Sequence, residues 1–156
     1  MRVLGIDPGY ERLGLAVVEK VDGHDTVVFS TCVQTDKELP FCDRLLAIGN
    51  ELESVITTYK PECVGVETLF FNKNQKTAVA VAEARGVIEY VARRAGCVVQ
   101  EFGPQEVKVA MTGYGNSDKR AVIDMVRRLV RDVPEKALDD EYDAIAVGVT
   151  CLAHQR

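Results

Sequence analysis

The chain has 156 residues, of which 47% are hydrophobic and 28% are charged, and its formal net charge is −5 at pH 7. This length is typical of one domain, and the composition excludes a disordered or fibrous protein. The apolar run within the opening MRVLGIDPGY is shorter than the hydrophobic region of a signal peptide, and no apolar run in the sequence is long enough to cross a bilayer. We therefore expect a single domain over residues 1–156, in the cytoplasm and without membrane contact.

Cysteine usage supports a reducing compartment. Five cysteines are widely spaced, odd in number and without a C-x-x-C pair, so neither zinc binding nor a disulfide framework is expected.

Charge is unevenly distributed along the chain. Residues 72–131 carry 11 Lys+Arg against 6 Asp+Glu, whereas residues 1–71 carry 6 against 12. This basic middle indicates either a polyanion partner or ordinary solvated helix faces, and charge alone does not decide between them.

The predicted elements, in chain order, begin with three strands joined by short links. Apolar and β-branched runs predict strands at residues 2–7, 13–18 and 26–34. Helical periodicity then alternates with short apolar strands, which predicts helices at 42–59 and 75–95 and strands at 63–67 and 97–102. Consecutive strands favour an antiparallel meander, and strands separated by helices favour parallel additions to the same sheet.

The last third of the chain is predicted to be helical. Pro104 is typical of a first helical turn, and it opens a short helix. Ser117 is an expected N-cap for a helix over residues 117–130, and a final helix covers residues 140–154. The fold class is therefore α/β, with a mixed five-stranded sheet flanked by helices on both faces.

Two acidic residues end predicted strands. Asp7 closes the first strand and Glu67 closes the fourth, each after an apolar run in which a buried charge is costly unless it is paired. If these strands are parallel neighbours, both carboxylates lie at the same edge of the sheet, where sites in such sheets form. The alternative is that Asp7 caps the Pro8-Gly9 turn and that Glu67 merely begins a loop.

A third acidic element begins the last helix. Asp140 and Asp143 are three residues apart, so their carboxylates share one helix face. Acidic residues also favour any first helical turn, and Asp139 with Asp143 would be a second geometrically allowed pair. Four carboxylates without matching bases favour an all-oxygen site for Mg²⁺, for which Mn²⁺ can substitute, with one or two ions bound.

Four motifs together resemble a known family. LGIDPG at residues 4–9, ETLFFNKN at 67–74, ARG at 84–86 and DEYDA at 140–144 resemble, in order and spacing, the RuvC-type Holliday-junction resolvases. The resemblance implies a ribonuclease-H-like fold and a homodimer that uses Mg²⁺ to cut two strands of a four-way DNA junction symmetrically. Branch-migration proteins are further expected partners.

The resemblance also implies roles for individual residues. The catalytic acidic role, and with it metal binding, falls on Asp7, Glu67, Asp140 and Asp143. Lys108 and Lys119 match basic residues that serve strand cleavage near the active site. The residues expected to contact DNA are Phe70, Lys73, Asn74, Arg85, Lys108, Lys119 and Arg120.

Two segments suggest further contacts. The helix around residues 78–88 is apolar nearly all round, which favours a second partner such as the other subunit of a dimer. Arg127 and Arg131 are four residues apart on a predicted helix, where they are either phosphate contacts or part of a solvated face.

Three other functions match some of the same residues. A YqgF-like nuclease acting on RNA shares the GIDPGYERLGLA opening, but ETLF and the basic middle count against it. An ATPase of the actin and sugar-kinase type needs two domains and more length than this chain has. A non-catalytic DNA-binding module would have no reason to keep four uncompensated acids.

Overall fold

The computed structural model describes residues 1–68 and 75–155. The strands are β1 (Arg2–Asp7), β2 (Arg12–Val21), β3 (His24–Gln34), β4 (Cys63–Glu67) and β5 (Val98–Phe102). The helices are α1 (Phe41–Tyr59), α2 (Gln75–Arg94), α3 (Pro104–Thr112), α4 (Lys119–Leu129) and α5 (Asp139–His154). Within the described part of the chain, no helix has the length and apolar character needed to cross a membrane.

The five strands form one mixed sheet in the order β3-β2-β1-β4-β5. β1, β2 and β3 pair antiparallel, and β4 and β5 add parallel to β1 and to each other. Short links allow the antiparallel meander, whereas α1 and α2 provide the crossovers that parallel pairing requires. The sequence prediction of a mixed five-stranded sheet is confirmed.

The hairpin between β2 and β3 is longer than the sequence pattern predicted. Pairing continues to Val21 opposite His24, around a turn formed by Asp22 and Gly23 with φ of 49° and 80°. Two residues with positive φ give the turn type that suits a tight hairpin, for which Asp-Gly is a preferred pair. The predicted strand limits at residues 18 and 26 were wrong because that turn signal outweighs the local polarity.

Helix α4 also differs from its prediction. Asp118, not Ser117, caps it: the Asp118 carboxylate accepts a hydrogen bond of 2.8 Å from the Ala121 backbone N–H. The helix ends at Leu129, and the Arg131 N–H donates to the Asp25 carbonyl in a bridge to β3. Arg127 and Arg131 therefore do not share a helix face, and that expectation was wrong.

The sheet separates two apolar cores. On one face, Leu4, Ile6 and Leu15 pack with side chains of α1 and α2. On the other face, Val3 and Ala16 pack with side chains of α3, α4 and α5. Because side chains alternate along a strand, every second residue of β1, β2 and β4 faces α5. Helices on both faces of the sheet were predicted, and this is confirmed.

Helix α5 lies directly against the sheet because glycines line the contact. A Cβ atom added to Gly5 of β1 would overlap the Ala144 carbonyl and lie 2.7 Å from the Gly148 Cα. A Cβ on Gly14 of β2 would overlap the carbonyl of Asp140. All residues from 144 to 152 are buried, which is consistent with a helix enclosed between the sheet and α3 and α4. The glycines therefore fix how close the start of α5 comes to the ends of the strands.

We predict that Gly5→Ala destabilises the fold by about 3 kcal/mol, because backbone atoms of α5 would have to move away from β1. Urea denaturation measures this change in the free energy of unfolding. The matched control is Gly86→Ala in α2, where an added Cβ meets nothing within 4 Å. This control should be neutral or stabilising by up to about 1 kcal/mol. Equal stability of the Gly5 variant and the parent would contradict the close-contact explanation.

Candidate active site

Two carboxylates lie side by side at the carboxyl ends of β1 and β4. The parallel register pairs Val3 with Cys63 and Ile6 with Val66, so Asp7 and Glu67 follow at the same level of neighbouring strands. Each shares its strand face with residues that pack toward α5. The sequence predicts that Asp7 and Glu67 meet at one edge if their strands are parallel neighbours. β1 and β4 are parallel neighbours, so this condition is met.

The first turn of α5 brings two more carboxylates to this edge. The Asp140 carbonyl lies against Gly14, the residue that pairs with Asp7 across β1 and β2. Asp143, one turn further along, lines a cleft of about 260 Å³ together with Glu67. The structure thus brings Asp7, Glu67, Asp140 and Asp143 together from three separate elements.

Burial and mutual repulsion both disfavour the charged form of the carboxylates in this cluster. Burial, with the negative charges of the other three carboxylates, raises the pKa of Asp7 from 3.8 to about 8. Burial and the charge of Asp143 raise the pKa of Glu67 to about 7, although Lys119 and Lys108 act in the opposite direction. The pKa of Asp143 is also raised, mainly by burial. Acids in such surroundings are stabilised by a cation placed between them.

Two lysines border the same cleft. The Lys119 Nζ donates a hydrogen bond of 2.7 Å to Asp143 Oδ2, from the first residue of α4. Lys108 lines the cleft from α3. Burial alone would lower the pKa of Lys119, but its hydrogen bond and proximity to Asp143 raise it, so this side chain stays charged. Both lysines predicted from the sequence to serve cleavage therefore lie beside the acidic cluster.

The geometry distinguishes Asp140 from Asp139. The Asp140 side chain is 21% exposed and contributes to the raised pKa of Asp7. The Asp139 side chain is 67% exposed and makes only a long ion pair of 3.8 Å with Lys119. Asp140 therefore belongs to the cluster, and Asp139 lies at its solvent edge.

Sequence reasoning missed one residue of the site, Arg12. Its guanidinium forms an ion pair with Asp140 Oδ2. The signal that could have found it is strand alternation, which puts Arg12 on the same face of β2 as Gly14. Across residues 1–68 and 75–155, no three His, Cys, Asp or Glu side chains stand in a ready geometry for a metal ion. In this arrangement Asp140 pairs with Arg12 and Asp143 pairs with Lys119.

Three of the predicted DNA contacts lie outside the described residues: Phe70, Lys73 and Asn74. Arg120 is exposed at the start of α4, next to Lys119. Arg85 does not join the site: its guanidinium bonds Glu89 at 2.7 Å and Glu101 at 2.5 Å, which ties α2 to β5.

Known proteins are similar in sequence to this chain over nearly its whole length. The family model described as crossover junction endodeoxyribonuclease RuvC matches residues 3–151. A RuvC from Roseiflexus sp. (strain RS-1) is 43% identical over 148 residues, covering 95% of this chain and 88% of the relative. The chain belongs to the RuvC family. This membership favours junction DNA over the RNA-directed alternative raised by the opening motif.

Solved structures agree with the family assignment. Thermus thermophilus RuvC in complex with Holliday junction substrate superposes with a TM-score of 0.92 at 32% identity, covering all of this chain and 95% of that one. The yeast mitochondrial Holliday junction resolvase Ydc2 has a TM-score of 0.72 at 13% identity, with 98% and 78% covered. The second likeness supports the fold alone. The predicted ribonuclease-H-like fold class is confirmed.

We predict that Asp7→Asn stabilises the folded protein in buffer without divalent metal. The pKa of Asp7 is about 8 in the folded protein and 3.8 ordinarily. Between pH 3.8 and pH 8, folding therefore takes up a proton on this carboxylate. The native state therefore loses stability as pH rises through this window. Removing the charge should raise the free energy of unfolding by roughly 2–4 kcal/mol at pH 8, and by much less at pH 4.5.

Urea denaturation at both pH values checks this expectation. Asp139→Asn is the matched control, because it removes an exposed charge and should change stability by no more than about 0.5 kcal/mol. A destabilised Asp7→Asn at pH 8 would contradict the repulsive cluster.

Proposed function

We propose that this RuvC family member, a Holliday junction resolvase, hydrolyses DNA with Mg²⁺ held by Asp7, Glu67, Asp140 and Asp143. The observation that carries the proposal is the convergence of four carboxylates on one sheet edge beside two lysines. In a protein that only bound DNA, these carboxylates would weaken binding, because their negative charge repels the phosphates. The cluster is therefore explained by chemistry rather than by binding.

The donor set suits a hard divalent cation. All four side chains offer oxygen ligands, which favour Mg²⁺ or Mn²⁺ over zinc, and the number of carboxylates allows one or two ions. The raised pKa values of Asp7 and Glu67 fit ligands that share a cation. A divalent ion bound here would act as a Lewis acid toward the scissile phosphate.

The chain's own cations complete the proposed site. Lys119 carries a proton, and its Nζ lies 2.7 Å from Asp143, where it can stabilise charge developing on a phosphate oxygen. Lys108 borders the same cleft and can hold the phosphate in place. Arg120, together with Phe70, Lys73 and Asn74, extends the proposed contact to the neighbouring DNA. Arg85 is a weaker candidate because two carboxylates already bind it.

A homodimer fits this function. One site makes one cut, so two symmetric cuts require two subunits related by a two-fold axis. Val79 and Tyr90 on α2 and Leu46 on α1 are exposed apolar side chains, which supports these helices as the subunit contact. Branch-migration proteins are the further partners that we propose.

We predict that Asp7→Asn lowers junction cleavage by at least a thousandfold, because a neutral amide is a far weaker ligand for Mg²⁺ than a carboxylate. Junction binding should persist or strengthen, since a charge that repels phosphate is removed. Single-turnover cleavage of a four-way junction measures the loss. A linear duplex and a stem-loop RNA, tested with the parent, separate a junction resolvase from an RNA-directed nuclease. Cleavage within tenfold of the parent would contradict the site.

The same assay distinguishes the neighbouring acids. We predict that Asp140→Asn abolishes cleavage, whereas Asp139→Asn keeps activity within about threefold, because only Asp140 joins the buried cluster. The two changes are matched in chemistry and differ by one position. The reverse order of activities would identify Asp139 as the ligand.

We predict that Lys119→Ala lowers the saturated single-turnover rate by about a hundredfold and junction affinity by much less, because it acts on the transition state. Arg120→Ala is its matched control on the same helix. That change should weaken binding and reduce the salt dependence by about one unit of slope, with the saturated rate retained. An unchanged rate for Lys119→Ala would leave it as a phosphate contact only.

A further inference from the structure

Arg12 occupies a defined position beside the acidic cluster. It is the first residue of β2 and shares a strand face with Gly14 and Ala16. That face lies under the first turn of α5, because the Asp140 carbonyl contacts Gly14 directly. The long Arg12 side chain therefore starts beneath Asp140 and reaches its carboxylate from the side of β2.

The contacts of Asp140 are directed at one of its two oxygens. The Arg12 Nη2 forms an ion pair with Oδ2. Cys32, the residue of β3 opposite Gly14, places its Sγ 3.7 Å from the same oxygen. Two neighbouring strands thus hold Oδ2 from one side. Among residues 1–68 and 75–155, the side chains that contact the Asp140 carboxylate do so at Oδ2, so Oδ1 is the oxygen that Asp140 can offer to a ligand in the cluster.

We propose that Arg12 is a positioning residue for metal binding, holding Asp140 Oδ2 so that Oδ1 stays available to the cation. The proposal rests on the metal site of the proposed function and adds to it a residue outside the ligand set. Carboxylates that bind metal ions are themselves held by hydrogen bonds, and losing such a partner typically costs 10- to 100-fold in metal affinity or activity. Arg12 acts through Asp140 and not on the DNA.

Two other roles for Arg12 make different predictions. As a DNA contact, it would bind phosphate with its guanidinium, which is about half exposed. As a competing counter-ion, it would reduce metal affinity by occupying Asp140. The paired contacts from Arg12 and Cys32 to a single oxygen favour positioning, because a phosphate contact would need no second strand to hold the same carboxylate.

The test measures Mn²⁺ binding to the DNA-free protein by electron paramagnetic resonance of free Mn²⁺. Arg12→Ala should weaken Mn²⁺ binding by roughly 10- to 100-fold, and Arg12→Lys, which keeps a cation and a donor, should recover most of that loss. The matched control is Arg2→Ala. Arg2 also pairs with a carboxylate on the sheet, Glu19 at 2.8 Å, but at the opposite end of β1. The Arg2→Ala variant should bind Mn²⁺ with the same affinity as the parent.

A double variant decides whether Arg12 acts through Asp140. Asp140→Asn should weaken Mn²⁺ binding by itself, and adding Arg12→Ala should then have no further effect. Junction affinity in EDTA should stay within threefold of the parent for Arg12→Ala, and its thermal midpoint should show that it is folded.

The outcomes separate the proposals. Unchanged or tighter Mn²⁺ binding by Arg12→Ala would overturn the positioning role, as would a loss confined to junction affinity. If Asp7→Asn and Asp140→Asn also bound Mn²⁺ like the parent, the metal site of the proposed function would itself be wrong.

Discussion

The site depends on the contact between helix α5 and the two strands β1 and β2. Gly5 and Gly14 allow the backbone of the helix to touch the sheet, with no side chain between them. This contact sets the distance from Asp140 and Asp143 to the strand end that carries Asp7. A larger residue at either glycine would hold the helix further away, and the four carboxylates would no longer share one volume.

The carboxylates that the proposed function requires lower the stability of the folded protein. Burial, and then the like charge of neighbouring carboxylates, raises the pKa of Asp7 and Glu67, which costs free energy at neutral pH. The chain offsets part of this cost with its own cations, Lys119 on Asp143 and Arg12 on Asp140. Because these cations contact the carboxylates directly, the charges that affect folding and those of the proposed catalytic site belong to one network. Helix α5 supports this network from a fully buried stretch, which limits its movement.

Much of the fold and part of the site could be predicted from the sequence. Alternation of strands with helices identifies β1 and β4 as parallel neighbours, and Asp7 and Glu67 then meet because each ends its strand. Strand alternation puts Arg12 on the face of β2 that carries Gly14, but it does not predict the contact with Asp140. That contact joins residues 128 positions apart and depends on how α5 packs on β2. The end of α4 before Arg131 was also missed, because pairing with β3 outweighs helical periodicity there.

The most direct test of the central claim is a crystal structure of the protein with Mn²⁺, in which anomalous scattering locates the metal. The account predicts a peak within about 2.5 Å of carboxylate oxygens from Asp7 and at least two of the other three acids. Asp140 should bind it through Oδ1 while Arg12 holds Oδ2. A peak bound elsewhere, or an acidic cluster without one at saturating Mn²⁺, would contradict the claim that these four carboxylates form the metal site.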